Sequence, residues 1–294
     1  MPLWQKNDKK MNFKKIEEKL FKVLMYLSTI IIAIALLSII FSILIKGIPS
    51  LSWEMISQTP KGGFYFGKEG GILNAIIGSL YLAASSTILA VIIGLPVALY
   101  MNIHLSKHKK IVNTIRFFLD LLWGVPSIVY GAFGFSLMIY FGMRTSLLAG
   151  IITVTLFIIP IIVRAIDEVL KTVPNGLLEA SLSLGATKSE TAYKVFLKQC
   201  FPGVITAVLL SFGRAIGDAA SVLFTTGFTD SIPTSLNQQA ATLPLAIFFQ
   251  LSSPVAEVKN RAYASAVVLT VIILIISVIS RLLVRKYQKN KIKF

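Results

Sequence analysis

The chain has 294 residues, of which 55% are hydrophobic and only 14% are charged. Soluble domains carry about 25% charged residues, so the composition excludes an ordinary soluble domain and indicates a protein with several membrane spans. The net charge is +16, but the basic residues cluster at the ends of apolar runs, which is typical of membrane orientation. No nucleic-acid partner is therefore expected. The single cysteine, Cys200, excludes an internal disulfide.

Six apolar runs have about the 20 residues that a membrane-spanning helix needs. In chain order they are 23–45, 72–101, 121–143, 145–163, 199–229 and 262–280. The fifth run is interrupted by Arg214 and Asp218. We therefore predict an all-α polytopic membrane protein with six transmembrane helices.

The distribution of Lys and Arg predicts the orientation of these spans. An even number of spans places both termini on one side, and that side holds 22 of the 29 basic residues against six on the other. Basic residues concentrate in cytoplasmic segments. Both termini and the connections 102–120 and 164–198 are therefore expected in the cytoplasm, with the chain in the cell (inner or plasma) membrane.

The outer connection, 230–261, contains the apolar stretch "LPLAIFFQL" at 243–251. This stretch is too short to span a membrane. It is interpreted either as a re-entrant segment or helix at the outer surface, or as an ordinary loop helix.

The inner connection carries helix-end signals at 173–199. Pro174 ends the preceding segment, Gly185 suits a helix C-terminus, and Thr187 with Glu190 fits a capping box. We predict two short helices joined by a tight turn. A connector can be as short as about 2–8 residues, so this segment is either a capped hairpin or a docking element for a partner, and its length favours docking.

The fifth run contains polar residues at spacings of 3, 4, 3 and 4, which predicts one continuous stripe along a helix. The stripe consists of Ser211, Arg214, Asp218, Ser221 and Thr225. Small residues at 213, 217 and 221 form a neighbouring stripe, a pattern that allows close helix approach. A helix with both features is expected to face the interior of the bundle.

Two interpretations of Arg214 and Asp218 remain open. The pair forms a self-neutralising ion pair that fixes helix packing, or Arg214 offers donors to an anion. Arg carries five donors, which one carboxylate does not satisfy, and its planar guanidinium binds phosphate-like groups bidentately. In the second interpretation Asp218 holds Arg214 in place and weakens the site enough for release.

The loop sequence "EASLSLG" (179–185) resembles the EAA motif of ABC-importer permeases. Glu179, Ala180 and Gly185 match the motif, Ser181 replaces its second Ala, and Lys198 stands where the pattern has Pro. The resemblance implies the six-helix ABC importer type I permease fold. It also implies that this loop forms a coupling helix seated in a cleft of the ATPase subunit.

Further stretches resemble the two homologous permease subunits of phosphate-specific importers. They are "GGILNAIIGSLYL" (70–82), "GVPSIVYGAFG" (124–134), "GRAIGDAASVLFTTG" (213–227) and "TLPLAIF" (242–248). The last two favour the A-type (PstA-like) over the C-type subunit. This resemblance covers about residues 70–285, the expected permease core with its coupling loop at 173–199. Charge and hydropathy divide the rest into a basic cytoplasmic segment 1–22, a first helix with its outer loop 23–69 and a basic tail 286–294.

The resemblance also implies roles and partners. Arg214 and the acid at 218, where Glu is more usual, are transport residues in that family, and Arg164 matches another arginine that the family uses. A positive-inside anchor is the alternative for Arg164. Ser211 and Ser221 complete the expected pathway. The implied partners are a second, PstC-like permease, a PstB-like ATPase dimer, an external PstS-like phosphate-binding protein, and phosphate.

No catalytic or metal-ligand pattern is present. The segment 62–69 has glycines and Lys68 at phosphate-loop spacing, but Glu69 stands where Ser or Thr binds Mg²⁺. The chain is therefore not expected to be an enzyme or to hold a cofactor, and ATP and Mg²⁺ belong to the ATPase. The alternatives are a sulfate or molybdate permease, a non-transporting scaffold or receptor, a secondary transporter and, last, an intramembrane enzyme.

Overall fold

The structure is a computed structural model that describes residues 4–61 and 69–288. The phosphate-loop-like glycines and Lys68, together with most of the basic tail, lie outside the described residues. The described part is mainly helical. Its helices and strands are α1 (Trp4–Gly47), a 3₁₀ turn (Ile48–Ser50), α2 (Trp53–Ser57), β1 (Pro60–Lys61), β2 (Glu69–Gly70), α3 (Leu73–Leu99), a π-helical turn (Tyr100–His104), α4 (Lys109–Gly124), α5 (Ser127–Tyr140), α6 (Leu147–Leu170), α7 (Asn175–Ser183), α8 (Lys188–Glu190), a second π-helical turn (Thr191–Phe196), α9 (Leu197–Gly217), α10 (Leu243–Leu251) and α11 (Ala256–Gln288). The two strands pair antiparallel.

Within the described residues, five helical segments are long and apolar enough to cross a membrane, and a bent helix pair makes six if it counts as one span. The first, second, fourth and sixth predicted spans fall on α1, on α3 with its π-helical turn, on α6 and on α11. The third and fifth differ from the prediction in ways that matter for the site.

The predicted third span, 121–143, is not one continuous helix. α4 and α5 meet at 94°, and the break falls at Val125, whose backbone is extended. Pro126 causes this, because proline disfavours helical geometry in the residue before it. α5 has 14 residues, about 21 Å of helix, which is short of a bilayer core of about 30 Å. Any crossing here uses both halves of the bent pair.

The core of the bundle is built around α6, which packs against α3, α4, α5 and α9. Interhelical hydrogen bonds tie α3 to α6: the Ser86 hydroxyl donates to the Ile151 carbonyl, and the Thr155 hydroxyl contacts the Ser86 carbonyl. Glycine allows close approach elsewhere on α3, since a Cβ at Gly78 would lie 2.0 Å from the Ala241 carbonyl oxygen. Small and hydroxyl-bearing residues are the typical means of packing helices in a membrane.

α1 lies at the periphery, where it packs against α11. Its most apolar window is 0% buried within the chain, as expected for a helix that faces lipid or a partner. The helix has no break at residue 22, so the described part of the basic segment continues directly into the apolar one.

The apolar stretch 243–251 is a helix, α10, with Leu243 and Leu245 fully buried. It packs on α11 and α3, and the Leu243 N–H donates to the Ser79 hydroxyl at 2.7 Å. The stretch is therefore part of the bundle and not a detached loop helix.

Candidate substrate pathway and coupling site

The predicted fifth helix ends earlier than expected, at Gly217. Asp218 is extended, with φ −88° and ψ 123°, and its carboxylate accepts a hydrogen bond from the Ser221 N–H at 2.9 Å. An Asp that caps the next turn in this way competes with helix continuation. The prediction of one continuous polar stripe is therefore wrong: Ser211 and Arg214 lie on α9, whereas Asp218, Ser221 and Thr225 lie on the turns beyond it.

The two serines of the predicted stripe are both fully buried. The Ser211 hydroxyl donates to the Ala207 carbonyl at 2.9 Å, so its proton is used within α9. The Ser221 hydroxyl has no hydrogen-bond partner among the described residues. Of the two, only Ser221 has an unused donor.

Arg214 is exposed and forms no ion pair among the described residues. The self-neutralising pair of the first interpretation is absent, and so is the contact by which Asp218 holds Arg214 in the second, because α9 ends between the two residues. The guanidinium lies over the Phe157 ring, 5.1 Å from its centroid. A cation–π contact of this kind orients the guanidinium without using its edge donors. The donors of Arg214 thus remain available to a ligand.

Arg214 lines an open cleft of about 550 Å³ between α9 and α11, closed at one side by Trp123 and Ile161. Arg281 of α11 lines the same cleft, and none of the lining residues is Asp or Glu. In the sequence, Arg281 is one of the six basic residues after position 280 that indicate the orientation of the chain. Nothing in the local sequence separates it from the other basic residues after position 280.

Of the small-residue stripe, Ser221 is buried, whereas Gly213 and Gly217 are not closely packed within the described part of the chain. A Cβ at Gly213 would meet nothing within 4 Å, and one at Gly217 would touch only the Ile273 side chain at 4.0 Å. This face of α9 is therefore open for an approach from outside the chain.

Arg164 lies near the C-terminal end of α6, and its donors are used. Its Nε donates to Asp120 at 2.5 Å, and one terminal nitrogen donates to Asp167 and Glu168 at 2.7 and 3.0 Å. The side chain is only 14% exposed. Whether Arg164 also serves the pathway stays a prediction.

Asp167 is the centre of this charge cluster, and sequence reasoning missed it. Its side chain is 0% exposed, and Arg116 of α4 donates to both carboxylate oxygens, at 2.9 and 2.8 Å. Asn102, in the π-helical turn after α3, donates at 2.8 Å, and Lys171 lies 3.4 Å away. The cluster joins α3, α4 and α6 immediately before the chain enters α7.

The loop segment that contains the EAA-like motif forms the predicted first helix, α7, and ends as predicted. Gly185 has φ +85°, a conformation that glycine adopts at no steric cost. The capping box is present: the Thr187 hydroxyl accepts from the Glu190 N–H, and the Glu190 carboxylate accepts from the Thr187 N–H. The second helix is not short, however, because it continues through a π-helical turn into α9.

Exposed residues lie on α7, at Glu179 and Ala180, and on the turn that follows it, at Gly185 and Leu184, which is 89% exposed. α7 is anchored to the next helical segment, since the buried Ser181 hydroxyl bonds to the Thr191 hydroxyl at 2.8 Å. A helix held in this way, with an exposed leucine directly after it, is suited to transmitting the movement of a docked protein.

The helical bundle is similar in fold to solved ABC transporter structures. The fold of the inward-facing MetNI methionine ABC transporter aligns with a TM-score of 0.60 at 23% identity, covering 74% of this chain and 95% of that one. An amino acid ABC transporter aligns with a TM-score of 0.52 at 19% identity. These similarities show the fold, and they confirm the predicted fold class.

The sequence comparisons then define the family. Residues 90–291 match the family described as "Binding-protein-dependent transport system inner membrane component", and the chain belongs to this family. It is similar to the "Phosphate transport system permease protein PstA" of Haemophilus influenzae, with 32% identity over 92% of this chain and 94% of that protein. The protein of the same name from Yersinia pestis is 32% identical over 85% of this chain and 84% of its own length. This chain is thus a membrane component of a multi-subunit transport system.

Proposed function

We propose that this chain is the A-type permease subunit of an ATP-driven importer that moves inorganic phosphate into the cytoplasm. Two relatives with about one third identity over nearly the whole chain carry the name of that subunit. One observation carries the proposal: the Arg214 guanidinium lies in an open cleft and has no carboxylate partner among the described residues. A charge at bilayer depth costs a few kcal/mol, and a passing oxyanion offsets that cost.

The remaining pathway residues have distinct proposed roles. Asp218 fixes the end of α9 through its bond to the Ser221 N–H, and its charge, one turn beyond Arg214, limits how tightly the anion binds. Ser221 offers its unused hydroxyl. Ser211 keeps the inner face of α9 in place. Arg164 anchors the inner ends of α4 and α6 through its carboxylate partners.

Two open surfaces support the proposed partners. A homologous PstC-like permease packs on the glycine face of α9 and closes the cleft. A PstB-like ATPase dimer, which carries ATP and Mg²⁺, docks on α7 through the region of Glu179, Ala180 and Gly185. A PstS-like protein delivers phosphate from outside, and both termini lie in the cytoplasm, on the side with most basic residues. ATP binding and hydrolysis bias a two-state bundle because the docked subunits prefer one state.

Phosphate uptake by the reconstituted complex tests this proposal. The complex that carries Arg214→Gln is purified, and its phosphate uptake and ATP hydrolysis are measured in liposomes. Arg285→Gln is the matched control, because Arg285 is exposed and does not line the cleft. A hydrogen bond to a charged group contributes about 1.5–3 kcal/mol, so uptake is expected to fall about 10- to 150-fold. Uptake at the wild-type rate by an assembled R214Q complex contradicts the proposal.

Competition distinguishes phosphate from sulfate or molybdate. Unlabelled phosphate is expected to suppress labelled phosphate uptake at far lower concentration than sulfate does. Equal suppression by sulfate would assign the permease to another oxyanion.

A further inference from the structure

The cleft that holds Arg214 has two matched walls. The α9 wall consists of Thr206, Leu209, Leu210, Gly213 and Arg214, and the α11 wall of Ile273, Ile276, Ser277, Ser280 and Arg281. Both sets have spacings of 3, 1, 3 and 1, so each is one continuous face of a helix. Each wall ends in an arginine at its C-terminal end.

The two arginines lie at different depths because α9 and α11 run in opposite directions through the membrane. Gly217 of α9 lies beside Ile273 of α11, with 4.0 Å between a Cβ at Gly217 and the Ile273 methyl. Arg214 is three residues inward from Gly217, and Arg281 is eight residues inward from Ile273. At 1.5 Å per residue, Arg281 is about 7–8 Å deeper towards the cytoplasm.

The charges of this cleft are unbalanced. Neither Arg214 nor Arg281 forms an ion pair in the part of the chain that the structure describes, and the lining residues include no carboxylate. The hydroxyls of Thr206 and Ser277 donate to backbone carbonyls of their own helices, so the arginines supply the strong donors. Two guanidinium groups on one apolar-walled cleft are suited to an anion that carries several oxygen acceptors.

We propose that Arg281 is a second oxyanion-binding residue of this chain, which receives the anion from Arg214 and passes it towards the cytoplasm. The inference rests on the proposed function, because it takes the transported anion as the ligand. An anionic lipid headgroup offers the same phosphate chemistry to an arginine near the inner end of a span. The experiment must therefore separate free phosphate from lipid.

Three variants of the full complex test the role of Arg281: Arg281→Gln, Arg281→Lys and the control Arg285→Gln, one helical turn further along α11. Uptake of inorganic phosphate is measured over a range of phosphate concentrations, in liposomes of zwitterionic lipid alone and in liposomes that also contain phosphatidylglycerol. ATP hydrolysis and ATPase co-purification report on assembly.

If Arg281 receives the anion after Arg214, R281Q lowers the maximal uptake rate about fivefold or more, while the half-saturating phosphate concentration changes less than about twofold. R281K restores at least about half of the rate, because it retains the charge. R285Q remains within about twofold of wild type. These results are expected in both lipid mixtures.

Two outcomes overturn the inference. If R281Q matches wild type in zwitterionic lipid and differs only with phosphatidylglycerol, Arg281 binds headgroups and not the transported anion. If R281Q behaves as R285Q in both mixtures while R214Q lowers uptake by the proposed 10- to 150-fold (about 1.5–3 kcal/mol), the proposed function stands and the role of Arg281 fails. Wild-type uptake by R214Q instead refutes the proposed function itself.

Discussion

Replacing Asp167 by Asn tests whether the buried charge cluster holds α4, α6 and the π-helical turn after α3 together. The substitution keeps the size of the side chain and removes its charge. It leaves Arg116, whose side chain is 23% exposed, and the more buried Arg164 facing a neutral amide in place of a carboxylate. Arg116 donates to both carboxylate oxygens of Asp167, and the Asn amide would place its NH₂ group, a donor, against one of these two donors.

The expected cost follows from burial. Removing one partner of a buried ion pair costs about 3–5 kcal/mol, because the remaining charge is left uncompensated. Asp120 provides the matched control: it also pairs with Arg164, but its side chain is 50% exposed, and exposed pairs contribute about 0–1 kcal/mol. At about 2 °C per kcal/mol for a large domain, D167N lowers the unfolding temperature by about 6–10 °C and D120N by about 2 °C or less.

Thermal unfolding of the detergent-purified complex measures both shifts, followed by intrinsic fluorescence and by loss of the monodisperse peak in size-exclusion chromatography. Both variants are compared with wild type at the same protein and detergent concentration. Equal shifts for D167N and D120N, or a D167N shift below about 2 °C, would refute the assignment of Asp167 as the centre of the cluster.

Gly78→Ala is expected to abolish accumulation of folded protein, because the new Cβ would lie 2.0 Å from the Ala241 carbonyl oxygen. Gly213→Ala is the control and is expected to fold normally, because its Cβ would meet nothing within 4 Å among the described residues. Normal accumulation of G78A would contradict the packing of α3. Thr187→Ala removes the hydroxyl that accepts from the Glu190 N–H and is expected to cost about 0.5–2 kcal/mol. ATPase co-purification and the unfolding temperature of the complex measure this effect. If both are unchanged in T187A, the cap does not stabilise the segment 173–199.

The features that the sequence predicts correctly are those with local causes. Gly185 and the capping box of Thr187 and Glu190 depend on residues within one turn of each other, so their signals survive in the structure. The apolar runs likewise locate most spans, since a spanning helix satisfies its own backbone. The end of α7 at Gly185 follows from a local signal of this kind.

The errors arise where a local preference competes with a hydropathy pattern. Pro126 breaks the third run into α4 and α5. The prediction missed this break because it used average hydropathy, which carries no information on backbone geometry. Asp218 ends α9 by capping Ser221, so a spacing that is regular in sequence does not become a stripe in space. The sequence identifies Arg214 as a candidate site residue, but its lack of a carboxylate partner among the described residues depends on that break.

Tertiary contacts account for what the sequence does not reveal. Asp167 meets Arg116 and Asn102, which are 51 and 65 residues away, and no spacing rule links them. Arg281 lines the same cleft as Arg214 only because α11 packs against α9. Both findings need the packed structure.

The most direct test of the central claim is a density map of the complete complex, determined with and without phosphate in a state that holds the anion inside the membrane. We expect the Arg214 guanidinium to face the space between the two permeases, with density for a tetrahedral anion at about 3 Å from its nitrogens. A guanidinium that points to acyl chains, or whose donors are all taken by carboxylates and carbonyls of the partner permease, would contradict the claim that Arg214 binds the transported anion.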